Sequence, residues 1–118
     1  MRLFTLYILR LFLKYTKKSV RIIMENIKFS NCEGVEYEIK WRKPHRSYNA
    51  DGLCCNPLVK DPKILIDPTL KENRSLSVLI EEVTHAFFWD IPEKDVRKFA
   101  PRLAKIIKKA GWVKEESD

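Results

Sequence analysis

Glycine is scarce in this chain, with three residues in 118, and the sequence contains no internal repeat and no low-complexity run. Collagen-like and disordered architectures are excluded, because 45% of the residues are hydrophobic and 11% aromatic, enough to bury a core. Cysteine is scarce too. Cys32, Cys54 and Cys55 are odd in number and two are adjacent, which fits neither a disulfide framework nor the Cys-x-x-Cys spacing of a zinc knuckle. All three are expected to be free, packed thiols in a reducing, cytosolic compartment. A membrane span is missing as well. The apolar stretch Leu3–Leu13 is interrupted by Arg10 and followed by Lys14, Lys17 and Lys18, whereas a spanning helix needs about 20 apolar residues. The small-residue cleavage site of a secretory signal is also lacking there.

Acidic residues are absent from residues 1–23, which hold six basic ones: Arg2, Arg10, Lys14, Lys17, Lys18 and Arg21. The whole chain has 23 Lys+Arg against 16 Asp+Glu, a net charge of +7, so residues 24–118 keep a net of only +1. A nucleic-acid partner for residues 24–118 therefore loses its electrostatic support. Three readings of the leader stand: a basic amphipathic helix on a membrane surface, a packed first helix, or an upstream extension ahead of a natural start at Met24. The change of composition and charge at Met24 favours the third.

Residues 24–118 read as one small α+β domain, a sheet of two to four strands followed by two packed helices. Val35–Arg42 alternates, with Val35, Tyr37, Ile39 and Trp41 on one face and charges on the other, which predicts a half-buried strand. Asn26–Ser30 is a shorter candidate before it. Lys63–Asp67 is a third strand, bounded by Pro62 and Pro68. Lys43–Pro57 between them is rich in turn formers, Asp51-Gly52 included, and is expected to be a loop or loose hairpin. From about Asn73 the period becomes helical, with Leu76, Leu79, Ile80, Val83, Ala86 and Phe87 as the apolar stripe and Asn73 or Ser75 as the cap. Ile91-Pro92 ends that helix and begins a second, whose stripe is Val96, Phe99, Ala100, Leu103, Ile106, Ile107 and Ala110. Pro101 is expected to kink it and Gly111 to stop it. The Lys105–Lys114 cluster reads as its solvated face.

Leu79–Asp90, LIEEVTHAFFWD, carries the chemistry. Glu81 and Glu82 lie four and three residues before His85, so a helix projects all three from one side. In the zinc-peptidase pattern His-Glu-x-x-His the two histidines hold the metal and the glutamate takes a proton from its water. Here Glu81 stands at the first histidine position. A carboxylate also ligates zinc, at the cost of neutralising more of the ion's charge and admitting other divalent metals that prefer oxygen. Glu93, in the first turn of the second helix, is a candidate third ligand, and Asp90 is another. Taken alone this spacing is common on helix surfaces, where the plainer reading is two solvated glutamates beside a packed histidine.

The stretch Pro62–Trp112 resembles the minimal His-Glu-x-x-His metallopeptidase-like proteins of phages and mobile elements, related in outline to the SprT-like and ImmA/IrrE-type peptidases. Lys63–Asp67 matches their strand, Glu81–His85 with Ala86 the motif, and Glu93-x-x-Val96-x-x-Phe99-Ala100 the ligand helix. The resemblance implies Glu82 as catalytic base, and His85 and Glu93 as ligands of Zn2+, with Glu81 in place of the missing histidine. It implies a peptide or protein substrate and a cytoplasmic setting in a bacterial or phage-infected cell. His45, in the loop before the cysteine pair, is the one other imidazole that could supply the absent ligand; a surface or capping role is the plainer expectation for it. Phe88 and Trp89 either line a substrate groove or, like Trp41 and Trp112, belong to the core. The functional expectations are thus a metal-dependent peptidase or, because of Glu81, a non-catalytic descendant that binds a protein partner.

Overall fold

A computed structural model describes residues 24–112. The leader, with its three readings, and Lys114 of the basic cluster lie outside these residues. The order of elements is β1 (Ile27–Ser30), β2 (Glu36–Lys40), a single 3-10 turn (Arg46–Tyr48), β3 (Gly52–Cys54), β4 (Lys63–Ile66), α1 (Glu72–Phe87) and α2 (Glu93–Lys109). This is the expected α+β fold: four strands in the order β1-β2-β4-β3, followed by two packed helices.

β1 and β2 form an antiparallel hairpin in which Ile27 faces Ile39 and Phe29 faces Tyr37. Its turn is organised by buried Asn31, whose Oδ1 accepts hydrogen bonds from the backbone of Glu33 (3.0 Å) and Val35 (2.9 Å). Gly34 completes the turn at φ +81°, where a side chain is strained. β4 runs parallel to β2 and antiparallel to β3, so the chain leaves β2, builds the outer strand β3 first and returns to the sheet interior as β4. Ile64 and Ile66 are fully buried, and with Tyr37, Ile39, Val78 and Ala86 they form the core. Phe29 extends it, stacking on Tyr37 at 5.5 Å and on Phe87 at 5.7 Å between ring centroids.

Several expectations are corrected. The segment Lys43–Pro57 is no mere loop: it contains the 3-10 turn and the edge strand β3, with Gly52 inside that strand. Three residues pairing with β4 carry too short an alternation to stand out. Neither Asn73 nor Ser75 caps α1; the capping position is Lys71, without a side-chain bond. The inward face of α1 is Ser77, Val78, Glu82 and Ala86, rotated from the expected stripe, with Leu79 and Val83 packed beside the core rather than in it.

α2 runs as one helix through Pro101 and ends in a Schellman motif, with Gly111 N–H donating to Lys108 O (3.0 Å) and Trp112 N–H to Ile107 O (3.2 Å). Only Val96, Ala100 and Ala104 of α2 are buried; Phe99 and Ile106, expected in the stripe, are exposed. Phe88, Trp89 and Trp112 are exposed as well, whereas Trp41 packs against the core and its Nε1 donates to Glu25 O (2.9 Å). Cys32 is exposed instead of packed, while Cys54 and Cys55 are half-buried; all three are free. Among the described residues no helix is long and apolar enough to cross a membrane.

Candidate functional site

The rotation of α1 that turns Glu82 inward is enforced by the edge strand. A Cβ at Gly52 would stand 2.6 Å from Val78 Cγ1 and 2.9 Å from Glu82 Cγ, so the bare backbone of β3 is what lets α1 approach it. Glu82 consequently lies under β3 with 8% of its surface exposed, at the floor of a cavity of about 420 Å³. Asp51, Arg74, Glu81, Glu93 and Arg97 line the rest of the mouth. Arg74, from the first turn of α1, bridges to Asp51 just before β3 (Nε to Oδ2, 3.1 Å).

Glu93 is the meeting point of the two helices. Its Oε2 lies 2.6 Å from His85 Nε2, and its Oε1 lies 3.2 Å from Arg97 Nε one turn further along α2. Its carboxyl also shares a hydrogen bond with Glu81. Three of the residues singled out in the sequence are therefore neighbours, joined through Glu93. Asp90 stays on the exposed turn between the helices, so of the two candidates it is Glu93 that meets His85. His45 is occupied elsewhere: its Nδ1 accepts from Ser47 N–H (3.2 Å) and caps the 3-10 turn, as a surface histidine does.

The His85–Glu93 contact is short but is not aligned as a hydrogen bond, and Nε2 is a buried ring nitrogen with no hydrogen-bond partner. The approach is an electrostatic contact between two groups that are both able to ligate a cation. Trp89 lies against the same ring, edge to face, with centroids 6.5 Å apart. Among the described residues, no three His, Cys, Asp or Glu side chains stand together as a ready-made cation cage.

The electrostatics set the carboxyls apart. Burial, then the charges of Glu81 and Glu93, pushes the Glu82 carboxyl up to about 8, against a smaller pull from Arg74. Burial and the shared bond with Glu93 also raise Glu81. For Glu93 burial works in the same direction, but the bond from Glu81, the charge of His85 and the contacts of His85 and Arg97 outweigh it and hold the carboxyl below its usual range. The cluster thus sets a raised, buried Glu82 and a raised Glu81 beside Glu93, whose carboxyl is held low.

Sequence reasoning missed Gly52, Asn31 and the two arginines. Asn31 positions the site from the far side, donating from Nδ2 to the carbonyl of Ala86 (3.1 Å), one of the last α1 carbonyls without a helical partner. The signal for Gly52 was the scarcity of glycine itself, but Asp-Gly reads first as a turn.

No protein-family model, no curated protein and no solved structure matches this chain.

Proposed function

We propose that this cleft is a metal-dependent hydrolytic site acting on peptide bonds, with Glu81, His85 and Glu93 as the residues that hold the ion. The observation that carries the reading is the buried Nε2 of His85, without an aligned hydrogen bond and 2.6 Å from the Glu93 carboxylate, on the same helix face as buried Glu82. One imidazole and two carboxylates suit Zn2+ or a harder divalent ion. When bound, the metal supplies Lewis acidity toward a carbonyl oxygen and an acidified water. Glu82 is the proton carrier: lying at the cavity floor with a carboxyl tuned to about 8, it exchanges a proton near neutral pH. Arg97 fixes the Glu93 carboxylate, and Gly52 keeps room between β3 and Glu82.

A second reading has its own support. Glu81 at the first motif position interacts with Glu93 directly, raised by it while lowering it, a pairing of carboxyls that needs no cation. On that reading the cleft is a metal-free binding site for a protein partner.

Elemental analysis and zinc titration of the purified full chain separate the two. The hydrolase reading expects one ion per chain, lost in His85→Ala, and tighter zinc binding in Glu81→His by a factor of about ten or more, because an imidazole relieves the crowding of carboxylates. No ion in wild type, and no gain in Glu81→His, leaves the metal-free reading standing.

A further inference from the structure

The exposed side of α2 is neither a core stripe nor an ordinary solvated face. The buried residues of α2 are only Val96, Ala100 and Ala104, small or medium side chains one turn apart. At 100° per residue, Phe99 and Ile106 fall within about 20° of each other, and Arg97 and Pro101, which line the cleft, fall on the opposite flank of the helix. Phe99 is 45% exposed and Ile106 is 61% exposed, with Ala110 exposed and Leu103 half-buried alongside. Trp112, 72% exposed, follows immediately after the helix end.

Next to this apolar strip runs a band of positive charge. Arg102 and Lys109 lie about 60° round from it and Lys98 and Lys105 about 100°, all exposed. Arg102 folds back through Nη1 onto the carbonyl of Lys98 (2.7 Å), which keeps its charge close to the helix. Asp95 is the one acid on this side; Glu93 is turned to the cleft and is occupied by His85 and Arg97. α2 as a whole has seven basic residues and two acidic, a net of +5, whereas residues 24–92 have nine basic and eleven acidic, a net of −2. The near-neutral total of residues 24–118 hides one strongly cationic helix.

We propose that this face of α2 docks on an anionic lipid bilayer, with Phe99 and Ile106 entering the headgroup boundary and Lys98, Arg102, Lys105 and Lys109 meeting lipid phosphates. Apolar side chains bordered by a cationic band are the chemistry that an anionic interface selects. A second copy of the same face would oppose net charges of +5, and residues 1–23, whose six charged side chains are all basic, offer it no opposite charge. Nucleic acid would use the lysines but would leave Phe99 and Ile106 without a role. With the lipid on this side, the cleft on the opposite flank of α2 stays open.

The test is co-sedimentation of the full chain with vesicles of phosphatidylglycerol and phosphatidylcholine, against phosphatidylcholine alone, at two salt concentrations. Expected is binding to the anionic vesicles only, weakened at least tenfold by Lys98→Glu with Lys105→Glu and, separately, by Phe99→Ser with Ile106→Ser. The exposed control pair Lys28→Glu and Lys60→Glu should stay within twofold of wild type. All six positions are exposed, and an unchanged circular-dichroism melting curve verifies the fold of each variant. Binding that both α2 pairs leave intact assigns the lipid contact to the leader and overturns the proposal. So does binding to a short duplex or single-stranded RNA that the lysine pair abolishes and the Phe99/Ile106 pair leaves unchanged, in the absence of vesicle binding.

Discussion

Glu82 is a carboxylic acid held neutral where an exposed glutamate would be ionised, and the stability it contributes follows its proton. In the unfolded chain a glutamate titrates near ~4.3, whereas burial and the charges of Glu81 and Glu93 place it at about 8 in the fold. A raised acid means that the folded state binds the proton more tightly. The stabilisation is complete below the unfolded value, declines as pH rises, and is gone once pH passes about 8. Glu82→Gln keeps the shape and removes the titration. Relative to wild type, the glutamine variant should therefore gain about 2–3 kcal/mol between pH 6 and pH 9, read from urea midpoints at the two pH values. Parallel pH dependences of the two proteins would mean that Glu82 is not the buried neutral acid described above. Contact with each other helps to raise Glu81 and to lower Glu93, so replacing either moves the other.

The encounter of β3 with α1 decides whether the cleft has a floor. Gly52 lies in a strand, where glycine ordinarily weakens pairing, and it is retained because Val78 Cγ1 would lie 2.6 Å from a Cβ there. Gly52→Ala should cost about 1–3 kcal/mol by overpacking and displace Glu82 from under the strand. Combining it with Val78→Ala should recover part of the loss, a coupling that a double-mutant cycle reads directly. Additive losses would show that the two elements tolerate the extra methyl independently. The same pair of elements explains why sequence periodicity misplaced the inward face of α1. Leu76, Leu79, Ile80 and Val83 are the greasier residues, but the face that meets a glycine strand must present the residues that fit its surface, Val78 and Glu82.

Across the whole molecule, sheet and helices are joined at two ends. At the cleft end Arg74 reaches Asp51, a pair of exposed groups worth at most ~1 kcal/mol. At the other end Asn31 ties the β1–β2 turn to the last turn of α1, and there the donor is buried. Asn31→Ala removes three hydrogen bonds at once and leaves Ala86 O without its donor. It should lower stability by about 2–3 kcal/mol, shifting the urea midpoint with no change in slope, because the contact joins residues 55 apart in one cooperative unit. A change of slope would indicate that hairpin and helices unfold separately.

The order of residues carries the periodicities: alternation in β2, the helical stretches either side of Pro92, the turn at Gly34 and the glycine stop at Gly111 are local preferences of backbone and side chain, set before any long-range contact forms. It also carries the identity and spacing of Glu81, Glu82, His85 and Glu93. The edge strand β3 was beyond it, since three residues become a strand only by pairing with β4. So was the depth of each side chain. Glu82 is buried because a glycine strand covers it, and Phe99 and Ile106 are exposed because α2 turns Val96, Ala100 and Ala104 inward instead. Burial is a property of what packs opposite a residue, and tertiary structure alone supplies the opposite side.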